Sequence, residues 1–332
     1  MVNQLIHNIQ LITKKSGLLT VFFGSFFWMS CHLKKEETQQ VTSDKINNVS
    51  IIIDDQLWDG EIGDTLRNKF ASPVLGLPQE EPLFTINQYP LKLLEGYMTN
   101  SRNIMVIKKE SKSKFSHQIN EYAQPQNVFH ISGNSVKEII DTIEKNSNII
   151  IGKLKKTEIN EIQNRNKNNV LRTKKIANKF HITLEIPKNF SIVRRKAKFM
   201  WFKNEILGGS ISIVIYELPF KNFTQNEVIR IRDSIGSLYI HGNEMGTEMK
   251  TEDSYSPYST WIQMAHKRAY ETRGTWIMKN DFMSGPFLNY CILDQKNKRI
   301  MVLEGFCYAP SKPKRDLMLE LEAIIKTIQF KK

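Results

Sequence analysis

Three apolar runs of strand length stand close together near the C-terminus. They are "AYETRGTWIMKND" (Ala269 to Asp281), "FLNYCILD" (Phe287 to Asp294) and "RIMVLEGFCYAP" (Arg299 to Pro310), with turns expected at Ser284-Gly285 and Lys296-Asn297. A parallel neighbour needs a crossover of a dozen or more residues, so strands this closely spaced pair antiparallel. An apolar stripe at helical spacing follows, Leu317, Leu321, Ile324, Ile325 and Ile328, on a helix expected over Lys312 to Ile328. Such a stripe covers a sheet. Upstream, apolar residues alternate at Ile182, Leu184 and Ile186 and again at Phe199 and Trp201, and "SISIVIYELP" (Ser210 to Pro219) is a further strand. Thr224 and Glu227 form a capping box that starts a helix with Val228, Ile231 and Ile235 inside.

The region before residue 152 alternates strand and helix patterns. "VSIII" (Val49 to Ile53), "PLFTINQ" (Pro82 to Gln88), "RNIMVIKK" (Arg102 to Lys109) and "NVFHIS" (Asn127 to Ser132) read as strands. Asp54 and Asp55 cap a helix on which Trp58, Ile62 and Leu66 share a face. A short helix is expected around His117 to Tyr122. Ser135 and Glu138 open another helix, with Val136, Ile139, Ile140 and Ile143 inside, and "NIII" after it suits a return to the sheet.

These patterns give an α+β chain of two α/β domains, the second an antiparallel sheet covered by helices. The expected divisions are a signal peptide at 1–30, a lipidated tether at 31–48, an N-terminal α/β domain at 49–152, a basic helical connector at 153–180 and the sandwich at 181–332. A strand pair opening with "ITLEIPKNF", a middle helix, antiparallel strands and a closing helix ending in "IIKTIQF" resembles the α/β/α sandwich of the photosystem P-subunit and Mog1 group. That resemblance implies a binding or assembly role more readily than an enzyme.

At the N-terminus, Lys14 and Lys15 precede an apolar run from Gly17 to Met29, and no acid occurs before Glu36. The run of about 13 residues is roughly 20 Å long as a helix, short of the ~30 Å bilayer core. It fits the h-region of a secretory signal. Ser30-Cys31 ends it, resembling a lipobox in which Cys31 takes the lipid, although Trp28 and Met29 depart from the usual pattern. The polar stretch beyond reads as a tether. Its Lys35-Glu36-Glu37 resembles a surface-export signal of Bacteroidota lipoproteins. Three blocks, "SIIIDDQLWDGEIGDTLRNKFASPVLGLPQEEPLFTINQYP", "RGTWIMKNDFMSGPFLNYCILD" and "EGFCYAPSKPKRDLMLELEAIIKTIQF", resemble a family of Bacteroidota envelope lipoproteins. The resemblance implies export, a lipid at Cys31 and attachment to the outer membrane, on its periplasmic face or at the cell surface; it implies no active site.

The net charge is +13, and residues 151–200 alone carry 14 Lys/Arg against three acids, a local excess of +11. Asn164, Asn166, Asn168 and Asn169 interrupt this segment, so two helices with a break are expected. Its charge suits nucleic acid or acidic lipid headgroups, or a solvated helix pair between domains. Its part from Lys153 to Lys179 lacks aromatics for base stacking and an exported chain rarely meets nucleic acid, so no nucleic-acid partner is expected.

Chemistry leaves few traces. No nucleophile elbow, phosphate-binding loop, dinucleotide fingerprint or zinc-protease motif occurs, so neither catalytic nor cofactor- or metal-binding residues are assigned. Asp54, Asp55, Asp59, Glu61 and Asp64 suit the positive end of a helix better than a Ca²⁺ site. His241 in "HGNEMGTEM" stands near Glu244 and Glu248, but Gly242 and Gly246 favour a loop. The segment from Asn243 to Trp261, with Tyr255, Tyr258 and Trp261, is the candidate binding loop, and His241 adjoins it; the same aromatics equally suit pinning a long connection onto the sheet. Non-catalytic binding or assembly with an envelope protein or glycan partner is expected; a hydrolase, or a glycan or small-molecule binder, using the 241–261 loop is the alternative. Cys291 and Cys307 could pair in an oxidising envelope, but both fall on strand patterns and a hairpin centred on Gln295 to Lys298 does not place them opposite each other; separate buried thiols are the other reading. Three Asp-Ser/Thr-aliphatic triplets, at Asp64, Asp141 and Asp233, resemble a glycosylation sequon but fall in expected helices.

Overall fold

The computed structural model describes residues 40–42, 45–94, 99–172, 174–242 and 244–331. Cys31, the signal peptide and most of the tether lie outside the described residues. Residues Gln40–Lys332 form one compact unit.

Its first half is a five-stranded sheet. A short β1 (Gln40–Val41) precedes β2 (Asn48–Ile52), α1 (Asp55–Trp58), α2 (Glu61–Phe70), β3 (Thr85–Tyr89), β4 (Asn103–Lys109), β5 (Lys114–Ile119), β6 (Ala123–Gln124) and β7 (Asn127–Gly133). The order is β3-β2-β4-β7-β5; the first four strands are parallel and β5 is an antiparallel edge. Burial on both sides explains runs such as Ile51, Ile52 and Ile53, all fully buried. One face packs on α2 and α3 (Val136–Asn166).

Two local expectations change here. The segment around His117 is strand β5, because Phe115 and His117 alternate onto one face and stack on Phe129. The three isoleucines at 149–151 continue α3 rather than returning to the sheet. The stripe Ile139, Ile143, Ile150 and Leu154 runs unbroken through them, and Ile149 points outward. The helix is about 46 Å long. It breaks after Asn166, and α4 (Lys174–Phe180) follows.

The second half comprises β8 (Ile182–Thr183), β9 (Ser191–Lys196), β10 (Phe199–Ile206), β11 (Gly209–Pro219), α5 (Gln225–Tyr239), β12 (Glu248–Thr251), β13 (Tyr258–Met264), β14 (Lys267–Lys279), β15 (Ser284–Asp294), β16 (Arg299–Tyr308), α6 (Arg315–Ile325) and β17 (Gln329–Phe330). An eight-stranded sheet runs β12-β14-β15-β16-β11-β10-β9, with β13 also paired to β14. Its pairs are antiparallel. The chain is therefore α+β, with this sheet covered by helices on both faces. The turn expected at Ser284-Gly285 lies just before β15, because β15 extends back to pair Gly285 with Trp276. One face carries Ile211, Ile213, Leu288, Tyr290 and Leu303 and packs against α4 and α6. The other carries Val214, Trp276, Phe287, Val302 and Phe306 and packs against α5 and β12.

The two halves share contacts along α3 and α6. Ile159 and Ile162 of α3 pack against Ala323, and Gln163 Nε2 donates to the Ala323 carbonyl at 2.8 Å. Glu81 accepts from the backbone N–H groups of Lys314 and Arg315, at 2.6 and 2.9 Å. α6 has no side-chain cap of its own. A carboxylate from the first half therefore satisfies two N-terminal donors of a helix in the second.

Candidate functional site: an aromatic-floored cleft

α5 crosses only part of its sheet face. Where it stops, a cleft of about 590 Å³ opens over the ends of β10, β11 and β16. Register explains the trough. Glu205, Ser210 and Tyr308 lie in one cross-strand row, and Lys203, Ser212 and Phe306 in the next. Small serines on the middle strand leave room between large neighbours. Trp201, Trp276 and Phe306 form the floor, with ring centroids 6.2 Å apart for Trp201–Phe306 and 5.7 Å for Trp276–Phe306. Both indole N–H groups are already used: Trp201 donates to Ser212 Oγ at 3.1 Å and Trp276 to the Cys307 carbonyl at 3.2 Å. The floor is therefore apolar and nearly closed off, with Trp201 9%, Phe306 5% and Trp276 1% exposed.

The wall is the segment after α5. Gly236 allows it to form, because a Cβ there would sit 2.2 Å from the Met249 carbonyl, so only glycine lets β12 approach the helix this closely. His241 Nε2 donates to the Ser237 carbonyl at 2.8 Å, capping the C-terminal turn of α5. Thr247 Oγ1 accepts from the Gly242 N–H at 2.9 Å and donates to the Glu244 carbonyl, which folds the loop back. Asn280 donates to the Gly246 carbonyl at 3.1 Å and so ties this loop to the β14–β15 turn. Met245 and Phe282, on these two segments, are fully exposed. The ionisable groups of the cleft are Lys203, Glu205, His241 and Asp281, and Lys203 and Glu205 pair at 2.6 Å.

Beside the floor and beneath α5 lies a buried polar group. The Arg232 guanidinium stacks 3.8 Å from the Phe287 ring centroid and pairs with Glu304 at 3.0 Å. Asn289 donates to Glu304 at 2.9 Å. Burial pushes the Glu304 carboxyl up, and Arg232 and Asn289 offset part of that. Burial, then the Glu304 charge, pushes the Cys291 thiol up to about 12, so it stays protonated and unreactive at neutral pH. Cys291 and Cys307 are both free and buried. This cluster fixes α5 on the sheet and so positions the cleft wall.

The candidate-loop residues fall in two places. His241 stands at the cleft. Trp261 lies on β13, 4.8 Å from Tyr270 and 5.8 Å from Phe223, with the Arg268 guanidinium 3.9 Å over its ring. Tyr255 and Tyr258 remain exposed near it. Tyr270 and the cleft's Trp276 are six residues apart on β14, roughly 20 Å. Trp261 pins β13 to the sheet and takes no part in the cleft. The floor residues were not singled out as a site in the sequence, since three separate strands, β10, β14 and β16, and the sheet register bring them together. Thr65, Thr142 and Ser234 of the sequon-like triplets lie on helices, and each hydroxyl donates to the carbonyl four residues earlier. Among the described residues no three His, Cys, Asp or Glu converge to hold a metal ion, and no helix is long and apolar enough to cross a membrane.

Two family models match consecutive stretches of the chain. Residues 169–327 match a domain of unknown function, DUF4837, and residues 42–167 match another, DUF8532. Among solved structures, the chain is similar to the Ran-binding protein Mog1p of Saccharomyces cerevisiae at 9% identity and a TM-score of 0.31, over 45% of this chain and 89% of that one. A mutant of protein Mog1 matches at 10% identity and 0.30, over 45% and 90%. LpqN of Mycobacterium tuberculosis, described as involved in cell envelope biogenesis, matches at 8% and 0.28, over 45% and 82%. No curated protein matches in sequence.

Proposed function

We propose that this chain is a lipid-anchored protein of the cell envelope that acts by binding, with the aromatic-floored cleft as its recognition site. The observation that carries the reading is the bonding of the floor. Trp201 and Trp276 spend their N–H groups on the protein, so the floor between Lys203, Glu205, His241 and Asp281 is apolar, and Trp201 is its most open ring. A bed of this kind suits a ligand with a flat apolar face and a polar edge, such as a sugar ring. The volume lies within the usual range for a small-ligand site.

Titration of the chain with oligosaccharides prepared from the envelope, followed by tryptophan fluorescence, tests the site. Saturable change is expected for the parent and is lost in Ser210→Trp, which fills the trough. A response identical in both chains sinks the assignment. Turnover of any of these ligands would favour a hydrolase instead. The anchor rests on Ser30-Cys31 after a short apolar run. Radioactive palmitate should label the parent in cells and not Cys31→Ala; label on both removes the anchor from the reading.

A further inference from the structure

The excess positive charge gathers on one edge of the large sheet. Between residues 172 and 198 there are nine Lys/Arg and one acid, Glu185. Arg172, Lys174, Lys175 and Lys179 belong to α4 and its approach; Arg194, Arg195 and Lys196 belong to β9, the edge strand. The two groups meet. Arg172 and Lys175 line one cleft of about 380 Å³ with Ser191 and Ile192 of β9, and Arg195 lies close enough to act on the Lys179 ammonium. Segment 169–171 is hydrogen-bonded to residues 186–188, which brings Lys188 to the same side.

Among the described residues, only Lys198 of these nine makes an ion pair, with Glu217 at 3.5 Å. The opposite edge differs. There Lys250 pairs with Asp253 at 2.9 Å and Lys279 with Glu248 at 3.0 Å. Charges on an edge strand also block unwanted strand pairing, and that accounts for Arg194, Arg195 and Lys196. It does not account for the α4 cations, which are on a helix. Within the patch Ile192 and Val193 are 40% and 47% exposed, and the 380 Å³ cleft is lined by Leu171, Ile176, Phe190 and Phe202 behind its cationic mouth. Clustered cations, compensated only by Glu217 at Lys198 and in part at Lys179, around exposed aliphatic side chains match the layered chemistry of an anionic bilayer surface, with phosphate outside and hydrocarbon beneath.

We propose that the α4–β9 edge seats on a membrane surface rich in anionic phospholipid headgroups, with Ile192 and Val193 entering the interface. This contact belongs to the folded unit and is separate from the lipid at Cys31.

Vesicle flotation of the full chain carrying Cys31→Ser tests it, since every variant then has the same N-terminal segment and no lipid. Vesicles are phosphatidylcholine alone, or with a third replaced by phosphatidylglycerol. The parent should bind the anionic vesicles at least about tenfold more tightly, and lose that preference in high salt. R194E/R195E/K196E and, independently, K174E/K175E should each weaken anionic-vesicle binding about tenfold while leaving phosphatidylcholine binding and the thermal melt unchanged. R194Q/R195Q/K196Q guards against a folding defect and should weaken binding in the same direction. Equal binding to both vesicle types overturns the proposal, as does a folded variant that binds like the parent. Tighter binding to a short DNA duplex than to anionic vesicles, at equal salt and equal anionic charge, overturns it in favour of a nucleic-acid partner.

Discussion

Arg102 and Glu158 form a two-pronged ion pair with no solvent access: Nε meets Oε1 at 2.9 Å and Nη2 meets Oε2 at 3.0 Å. The carboxylate also accepts from Asn103 Nδ2 at 2.6 Å and from the Asn47 N–H at 3.0 Å. It thereby ties α3 to the starting ends of β2 and β4. Removing either charge strands the other, so Arg102→Met or Glu158→Leu should each cost about 3–5 kcal/mol in urea unfolding. The double variant should recover part of that loss. It should not recover all, because the Asn103 and Asn47 donors lose their acceptor.

Two buried glutamates on opposite sheet faces should shift stability with pH in opposite directions. Burial opposes ionisation of Glu322, but Arg273 and Lys326 outweigh it and bring the carboxyl down to about 2. A depressed folded value stabilises above the unfolded value, near 4.5, and is lost as pH falls toward about 2. The contribution is on the order of 3 kcal/mol. Parent and Glu322→Gln curves should therefore diverge as pH rises through that window. Glu304 is raised by burial, so above about 4.5 the unfolded chain releases a proton that the folded chain keeps, and the parent should lose stability relative to Glu304→Gln as pH rises there. Unfolding free energies measured across pH for the three chains decide both signs.

The seam between the two family models lies at residue 168, directly after α3. Cutting the chain there exposes Ile159 and Ile162 on one piece and Ala323 on the other, and parts Glu81 from the start of α6. Pieces co-expressed from residues 40–168 and 169–332 should copurify. Glu81→Ala should weaken that association and lower the melting temperature of the intact chain, at a cost of about 1 kcal/mol. Pieces that each fold and stay apart would show that the shared surface adds little.

Gly236→Ala places a methyl group against the Met249 carbonyl. Displacing β12 should cost about 1–3 kcal/mol and widen the cleft. The check is a lower melting temperature together with weaker ligand-induced fluorescence change.

Local rules made much of this fold legible. The hairpin centred on Gln295 to Lys298 pairs Leu293 with Ile300 and Cys291 with Val302, so the two cysteines are not opposite. Thr224 and Glu227 form the complete capping box. Where competing local preferences were close, tertiary packing decided. Three consecutive isoleucines favour a strand, but one helical stripe through Ile150 keeps them in α3. The cleft was legible only at His241, the one member next to loop signals. Trp201, Ser212, Trp276 and Phe306 stand as far as 105 positions apart, and only sheet register joins them.

Strand spacing in the large sheet carries one last consequence. β11, which runs through the middle of the cleft, is two strands from β9, roughly 10 Å. With that edge seated, the cleft lies within about one Debye length of the headgroups, inside the surface's ion atmosphere. There protons and cations are enriched and dissolved anions are depleted. The cleft would then sample the chemistry of the membrane boundary in place of the bulk solution, and favour ligands already held in that layer.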